Sequence, residues 1–509
     1  MSLNFIDKTV ALFSPRAALG RAQAKMALAS YDAAKPSRTH KAKRSHGSGD
    51  HNAQRAGLSL REQARNLEEN SDFVDGLLST LVNNVVGADG IGVEPMPLTY
   101  AGDVHTEFAK ELSTRYERWS LKADTTGKHS RAELERLACR TWLRDGEVFG
   151  EHVMGKIPGF KHPSGGFYSI QAMEPDFSPF DLTLLNASVT NAIERNAWGQ
   201  PVKYHAYLTH PGDAYGFNTQ TRAIPAERMM HLMLTKRLHQ GRGVTILASS
   251  MHRISGLQNY EESELVAARI AAAMAFFIKK GNPEMYDAQS DDGEPRRTIP
   301  ISPGTVFDDL KVGEEVGTIE SKRPNALLES FRTAMTRMIC SATGANASTV
   351  NKKYDGTFSS QRQELIESYV SYGVLSQQFI SQWTRPSYRN WLRMELLAGL
   401  EVPPDVDPDS IMSAYYQCPM MPWIDPKKEA DGFREVVKGG FGTEAEVVRS
   451  RGKNPQEVKR QRAREINENR EKGLVFSSDA HHEYYGKNSN EKDENGADRS
   501  DGQPEESSD

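Results

Sequence analysis

The chain has 509 residues, more than one ordinary domain holds, so two or three structural units are expected. Its 63 Lys and Arg against 68 Asp and Glu leave a net charge of −5. That balance excludes a protein whose main task is clamping nucleic acid. Cys139, Cys340 and Cys418 are odd in number and far apart, which excludes a disulfide framework or a zinc site and fits a reducing cytosol. The most apolar run, 265–278, carries Arg269 and is too short to span a bilayer. No charged segment followed by an apolar core stands at the start, so no secretory signal is expected.

Residues 1–57 are rich in Ala, Ser, Lys, Arg and His, with only Asp7, Asp32 and Asp50 as acids. The far end, 471–509, has the opposite sign, with 11 acids against 4 bases. Both ends hold few large apolar residues and read as a basic arm and an acidic tail.

The folded part is expected to open at Ser59-Leu-Arg-Glu62, a capping-box pattern. Leu67, Val74, Leu77, Leu78, Leu81, Val82 and Val85 recur at helical spacing, with a break near Asn70-Ser71. Gly87, Gly90 and Gly92 end that helix. A second capping box, Ser130-Arg-Ala-Glu133, starts a helix that stops at Asp145-Gly146, and E-V-F-G-E-H-V-M after it reads as a strand. Residues 167–231 are strand-like and full of turn residues, so the first 250 residues form an α+β domain.

Next comes one long Ala-rich helix, expected from about 247 to 280, with an apolar stripe that includes Ile254, Leu257 and Leu265. The segment 281–324 is turn-rich and too small for a core of its own, so it must borrow burial from neighbours. A second helix fills 325–340. A polar loop, 345–359, leads to a third long helix reaching about Leu400, bent near Pro386. Two or three short helices complete 427–470, ending in the basic run Q-E-V-K-R-Q-R-A-R-E.

Catalytic patterns are sparse. Thr126-Gly-Lys-His-Ser lacks the upstream glycine of a phosphate-binding loop, and Gly87, Gly90 and Gly92 follow a helix rather than a strand. No G-x-S-x-G or H-E-x-x-H occurs. Asp145, Glu147, Glu151 and His152 form the densest cluster of acid, base or metal-binding groups. On a strand Glu147 and Glu151 share one face while His152 points away. A metal-dependent nuclease would use Asp145 and Glu147, and the plainer reading is a solvated strand edge. His481-His482 has no ligand set around it. No cofactor and no enzymatic activity are expected.

Several ordered blocks carry a resemblance. They are S-L-R-E-Q-A-R-N at 59–66, L-V-N-N-V-V-G at 81–87, W-L-R-D-G-E-V-F at 142–149 and M-E-P-D at 173–176. Further on stand I-P-A-E-R-M-M-H at 224–231, Q-G-R-G-V-T at 240–245, Y-D-G-T-F-S-S-Q-R at 354–362 and W-I-D-P-K-K-E-A at 423–430. Together they resemble the lambda-type portal proteins of tailed bacteriophages over roughly 58–470.

The resemblance implies a portal-protein fold assembled as a cyclic ring of about twelve copies at one capsid vertex. It divides the chain into a basic arm (1–57), a wing (58–248), a first stem helix (249–280), a clip (281–324) and a second stem helix (325–344). A tunnel loop (345–362), a long helix returning to the wing (363–424), a helical crown (425–470) and the acidic tail (471–509) complete it. The implied DNA-channel residues are Asn351, Lys352, Lys353, Tyr354 and Arg362. The implied clip contacts for the packaging motor are Arg296, Arg297, Asp308, Asp309 and Lys311. Partners implied are non-specific double-stranded DNA, the terminase large subunit, major capsid and scaffold proteins, and head-completion proteins. The implied setting is the virion, assembled in the host cytoplasm. A DNA-binding assembly protein acting through its basic arm is the alternative.

Overall fold

The computed structural model describes residues 14–17, 19–20, 47–184, 188–213, 220–272, 276–280, 314–318, 327–420, 426–474 and 476. The first long helix, α1, runs over Gly49–Asn70, with Ser48 accepting the His51 amide as its cap. It therefore begins ten residues before the expected Ser59 box, which lies inside the helix. Asp50 explains the earlier start: its carboxylate takes the Gly241 amide and pairs with Arg195, tying the first turn to the body. The break at Ser71 is present, and α2 (Asp72–Val85) follows with Val74, Leu77, Leu78, Leu81 and Val85 buried.

Strand β1 (Gly92–Pro95) leads to α3 (Thr106–Ser120), a helix not expected from the sequence. Its signal was present in Phe108, Leu112, Tyr116 and Trp119, all buried on one face. Helix α4 (Arg131–Asp145) carries the expected capping box and ends at Gly146, whose φ of 94° suits glycine. Strand β2 (Glu147–Met154) lies between β3 (Tyr168–Met173) and β8 (Met229–Met233), antiparallel to both. A second antiparallel sheet is a meander of β4 (Val189–Thr190), β5 (Ile193–Arg195), β6 (Pro201–Tyr207) and β7 (Thr221–Pro225).

Helix α5 (Met251–Ala272) stops short of the expected 280. Residues Phe276–Lys280 form β9, paired antiparallel with β10 (Glu314–Thr318). Phe276, Phe277 and Ile278 favour extended backbone, and a partner strand overrides helical periodicity. Helix α6 (Leu328–Thr343) lies against α5, with Tyr260 and Phe331 rings 4.9 Å apart and Arg332 2.7 Å from Glu261. The polar loop contains a short helix, α7 (Ala347–Asn351).

The next helix continues through α8 (Phe358–Phe379), a wide π-type turn at Ile380–Thr384 and α9 (Arg385–Leu397). Pro386, expected to bend it, sits just past that wide turn, which accommodates its missing N–H. Strand β11 (Ala414–Gln417) pairs back on β1. Three helices follow: α10 (Pro426–Lys438), α11 (Glu444–Arg449) and α12 (Pro455–Glu471).

One main core joins α1–α4, the β2 face bearing Val148, the base of α5 and α6, and α8–α9. An aromatic group at its centre packs Tyr116, Trp119, Tyr388 and Trp391, with Tyr116 and Trp391 centroids 4.9 Å apart. The opposite face of β2 presents Phe149 to a smaller core with Ile193, Tyr204 and Ile224 of the meander. No described helix is long and apolar enough to cross a membrane.

Candidate functional site

The strand β2 carboxylates are not solvated. Asp145, Glu147, Glu151 and His152 are all buried, Glu147 completely, which corrects the reading of a strand edge in water. Alternation along β2 does place His152 apart, where its Nδ1 meets the Tyr168 hydroxyl at 2.7 Å. Burial pushes the His152 imidazole down to about 4. Glu151 pairs with Arg222.

Glu147 is the centre of a closed charge network. Arg242 Nη2 donates to its Oε1 at 2.7 Å, and Arg61 Nη2 donates to the same oxygen at 3.2 Å. His231 Nε2–H and the Gly243 amide donate to Oε2 at 3.0 and 2.9 Å. Burial alone would raise this carboxyl, but Arg242 and then His231 hold it well below the usual carboxylate range. Burial lowers His231 against the pull of Glu147, so the ring is neutral and donates. Arg242 also donates to the carbonyls of Asn191 and Ser178 and lies 4.0 Å over the Phe180 ring.

The network extends outward through Asp145, which receives Arg65 and Arg144 at 2.7 Å each. Arg65 reaches on to Asp176, and Arg144 to Glu68 at 2.9 Å. Glu174, Asp176 and His210 are near enough to one another to hold a metal ion. Arg65 already contacts both carboxylates and Arg61 lies 3.6 Å from Asp176, so cationic side chains take the place an ion would fill. Asp145 and Glu147, the two carboxylates a metal-dependent nuclease would use, are buried and each held by two arginines.

Backbone packing is equally tight. A Cβ on Gly243 would stand 2.0 Å from the Gly146 carbonyl oxygen, and one on Gly146 would stand 2.3 Å from the Val244 carbonyl carbon. The two glycines let the end of α4 cross the strand-like loop that leads into α5. Arg61 and Arg65, Asp145 and Glu147, Asp176, His231, and Arg242 and Gly243 come from five of the ordered sequence blocks. Those blocks, far apart in the chain, meet in one buried cluster.

Two further blocks meet at the loop 345–362. Arg362 pairs with Glu429 of α10 at 3.2 Å, which ties the loop to that helix. Lys353 bonds Glu329 at 2.5 Å and Asp355 at 3.2 Å, which raises its ammonium above the usual range. Asn351 donates to Thr336 Oγ1 at 3.0 Å. Lys352 caps α7 in the left-handed region with φ of 53°, and its side chain and that of Tyr354 are exposed. The clip candidates Arg296, Arg297, Asp308, Asp309 and Lys311 lie outside the described residues.

The profile of the family described as "Phage portal protein, lambda family" matches residues 35–375, well over half of the chain. The chain belongs to the lambda family of phage portal proteins. A curated relative, the "Probable portal protein" of Halomonas phage phiHAP-1, is 24% identical over 440 residues and 82% of each chain is covered. Among solved structures, the virion of a native gene transfer agent particle aligns over 77% of this chain and 92% of its own. Its identity is 11% and its TM-score 0.42. An HK97-family phage portal protein from Corynebacterium diphtheriae aligns over 69% and 98%, at 14% identity and TM-score 0.28. This is a phage portal protein, part of the virion, and five of the ordered sequence blocks converge in its buried cluster.

Proposed function

We propose that this portal subunit works as a non-enzymatic member of a ring of about twelve copies, a conduit for genome packaging and ejection. The supporting observation is a row of aliphatic side chains that one chain leaves uncovered. Ile366, Val370 and Val374, spaced by four along α8, are 42%, 67% and 66% exposed. Leu265 and Val266 on α5 and Phe331 and Met338 on α6 are also exposed. Apolar stripes of this kind on long helices find cover in another protein surface. Different stripes on one subunit allow head-to-tail contacts, which close into a ring when the rotation per copy divides the circle.

In this reading α5 and α6 are the stem, 281–324 the clip that meets the terminase large subunit and later head-completion proteins, and α10–α12 the crown. Arg296, Arg297, Asp308, Asp309 and Lys311 are the proposed clip contacts. The loop 345–362 faces the DNA, with Lys352 the cation best placed to touch phosphate without reading bases. The terminase supplies the ATP chemistry. Assembly takes place in the host cytoplasm with scaffold and major capsid proteins.

The test changes Val370 and Val374 to Asp. Full burial of each side chain contributes on the order of 1.5–3 kcal/mol, so two new charges at that contact should leave folded, helical subunits that no longer assemble. Assembly at the parental level would refute the proposed use of this stripe.

A further inference from the structure

The β4–β5 connection is a tight turn, Asn191-Ala192, between Thr190 and its cross-strand partner Ile193. Both turn residues have positive φ, 54° and 63°, as the mirror-image hairpin turn requires. Asn is common at such tips, which ordinarily lie in water. This tip is 0% exposed at both residues, because it is packed inward against Arg242. Arg242 Nη1 donates to the Asn191 carbonyl at 2.9 Å, and Nη2 donates to the Ser178 carbonyl at 3.0 Å. Asn191 and Ser178 therefore stand side by side along one guanidinium.

That guanidinium serves their carbonyls and leaves their side chains over. Asn191 Nδ2 and Oδ1 and Ser178 Oγ are buried with no hydrogen-bond partner among the described residues. A buried polar group left without a partner is costly, and few native ones are. The chain itself covers these atoms, so another protein surface cannot reach them.

Two facts narrow what meets them. The set mixes donors and acceptors: Nδ2 donates, Oδ1 accepts and the hydroxyl does either. The charge beside it is already balanced, since Arg61, Arg65, Arg144 and Arg242 are matched by Asp145, Glu147, Glu174 and Asp176. An anion would leave Oδ1 unmet, and a metal cation would leave Nδ2 unmet. Either would also upset the balance.

We propose that the Asn191 amide and the Ser178 hydroxyl share an internal water site. Water donates and accepts through one atom, brings no net charge, and is retained in protein interiors by two to four polar partners. The site backs the two residues on which Arg242 rests. Arg242 is followed by Gly243, which donates to Glu147, and then by the Thr245-capped turn that leads into α5. The water thus helps fix the β4–β5 turn to the chain segment that enters the first long helix. This role is independent of the loop 345–362 and of the exposed stripe on α8.

The direct test is a density map of the full chain fine enough to show ordered waters. A peak at hydrogen-bond distance from both the Asn191 side-chain amide and Ser178 Oγ is expected. No peak there, or a direct bond between the two side chains, overturns the assignment. A double-mutant cycle with Ser178→Ala and Asn191→Gly, the glycine keeping the positive φ, tests the sharing in solution by urea midpoint. Each single change should lower the midpoint. Together they should lower it by no more than the larger single loss, because both act on the same water; additive losses overturn the shared site. Exchanging chloride for gluconate at constant ionic strength should leave the parental midpoint unchanged. A midpoint that rises with chloride in the parent and not in the double variant would give the site to an anion and overturn the water.

Discussion

Replacing Glu147 with Gln should cost more than any change on the surface. The side chain keeps its shape and one acceptor oxygen, but the negative charge goes. Arg61 and Arg242, 2% and 0% exposed, lose the carboxylate 3.2 and 2.7 Å away. Removing one member of a buried charge set leaves uncompensated charge, and the penalty is about 3–5 kcal/mol. The other contacts of Arg242, to two carbonyls and Phe180, place the loss toward the lower end of that range. The assay is urea unfolding followed by tryptophan fluorescence, with Trp142 in the adjoining core as reporter. The double variant Glu147→Gln with Arg242→Met should lose less than the sum of the two single changes, because it removes both charges. A single-variant loss below about 1 kcal/mol would refute the reasoning, showing that the arginines find other partners or water.

Three further outcomes follow from the same geometry. Because burial depresses His152 to about 4, the unfolded chain takes up a proton that the folded chain refuses between pH 6.5 and 4. Stability should therefore be intact above pH 6.5 and fall on acidification by up to about 1.4 kcal/mol per pH unit; His152→Gln should flatten that stretch of the curve in pH-dependent thermal unfolding. Gly243→Ala should destabilise by about 3 kcal/mol, since the new methyl meets the Gly146 carbonyl and not a movable side chain; parental urea midpoints would contradict this. Deleting 351–356 should leave the core and assembly intact and reduce DNA packaged per particle, measured by nuclease protection; normal genome filling would contradict the role given to the loop.

Local rules carried much of the fold. The Ser130 capping box, the Gly146 stop, the strand after it and the break at Ser71 depend on neighbouring residues, and each stands in the structure where the pattern put it. The early start of α1 was hidden because its first turn is held by Gly241 and Arg195, far away in sequence. Strand β9 was hidden because its partner, β10, is more than 30 residues on, while the Ala-rich run before it favours helix.

The charged cluster shows the sharpest limit. A Glu in a strand looks solvated when its neighbours alone are considered. Arg61, His231 and Arg242 became its partners only through the tertiary fold, although each stood inside a block already marked as informative. Ion pairs such as Arg362 with Glu429 escaped notice for the same reason: charge in sequence does not say which charges will be neighbours.

The measurement that tests the central claim most directly is the mass and shape of the purified full chain, by light scattering after gel filtration and by negative-stain imaging. One chain is 56.7 kDa, so a ring of the proposed size has about twelve times that mass, with a central hole visible end-on. Particles of that mass and outline would bear out the conduit. Closed, compact particles of the same mass with no central opening would contradict it.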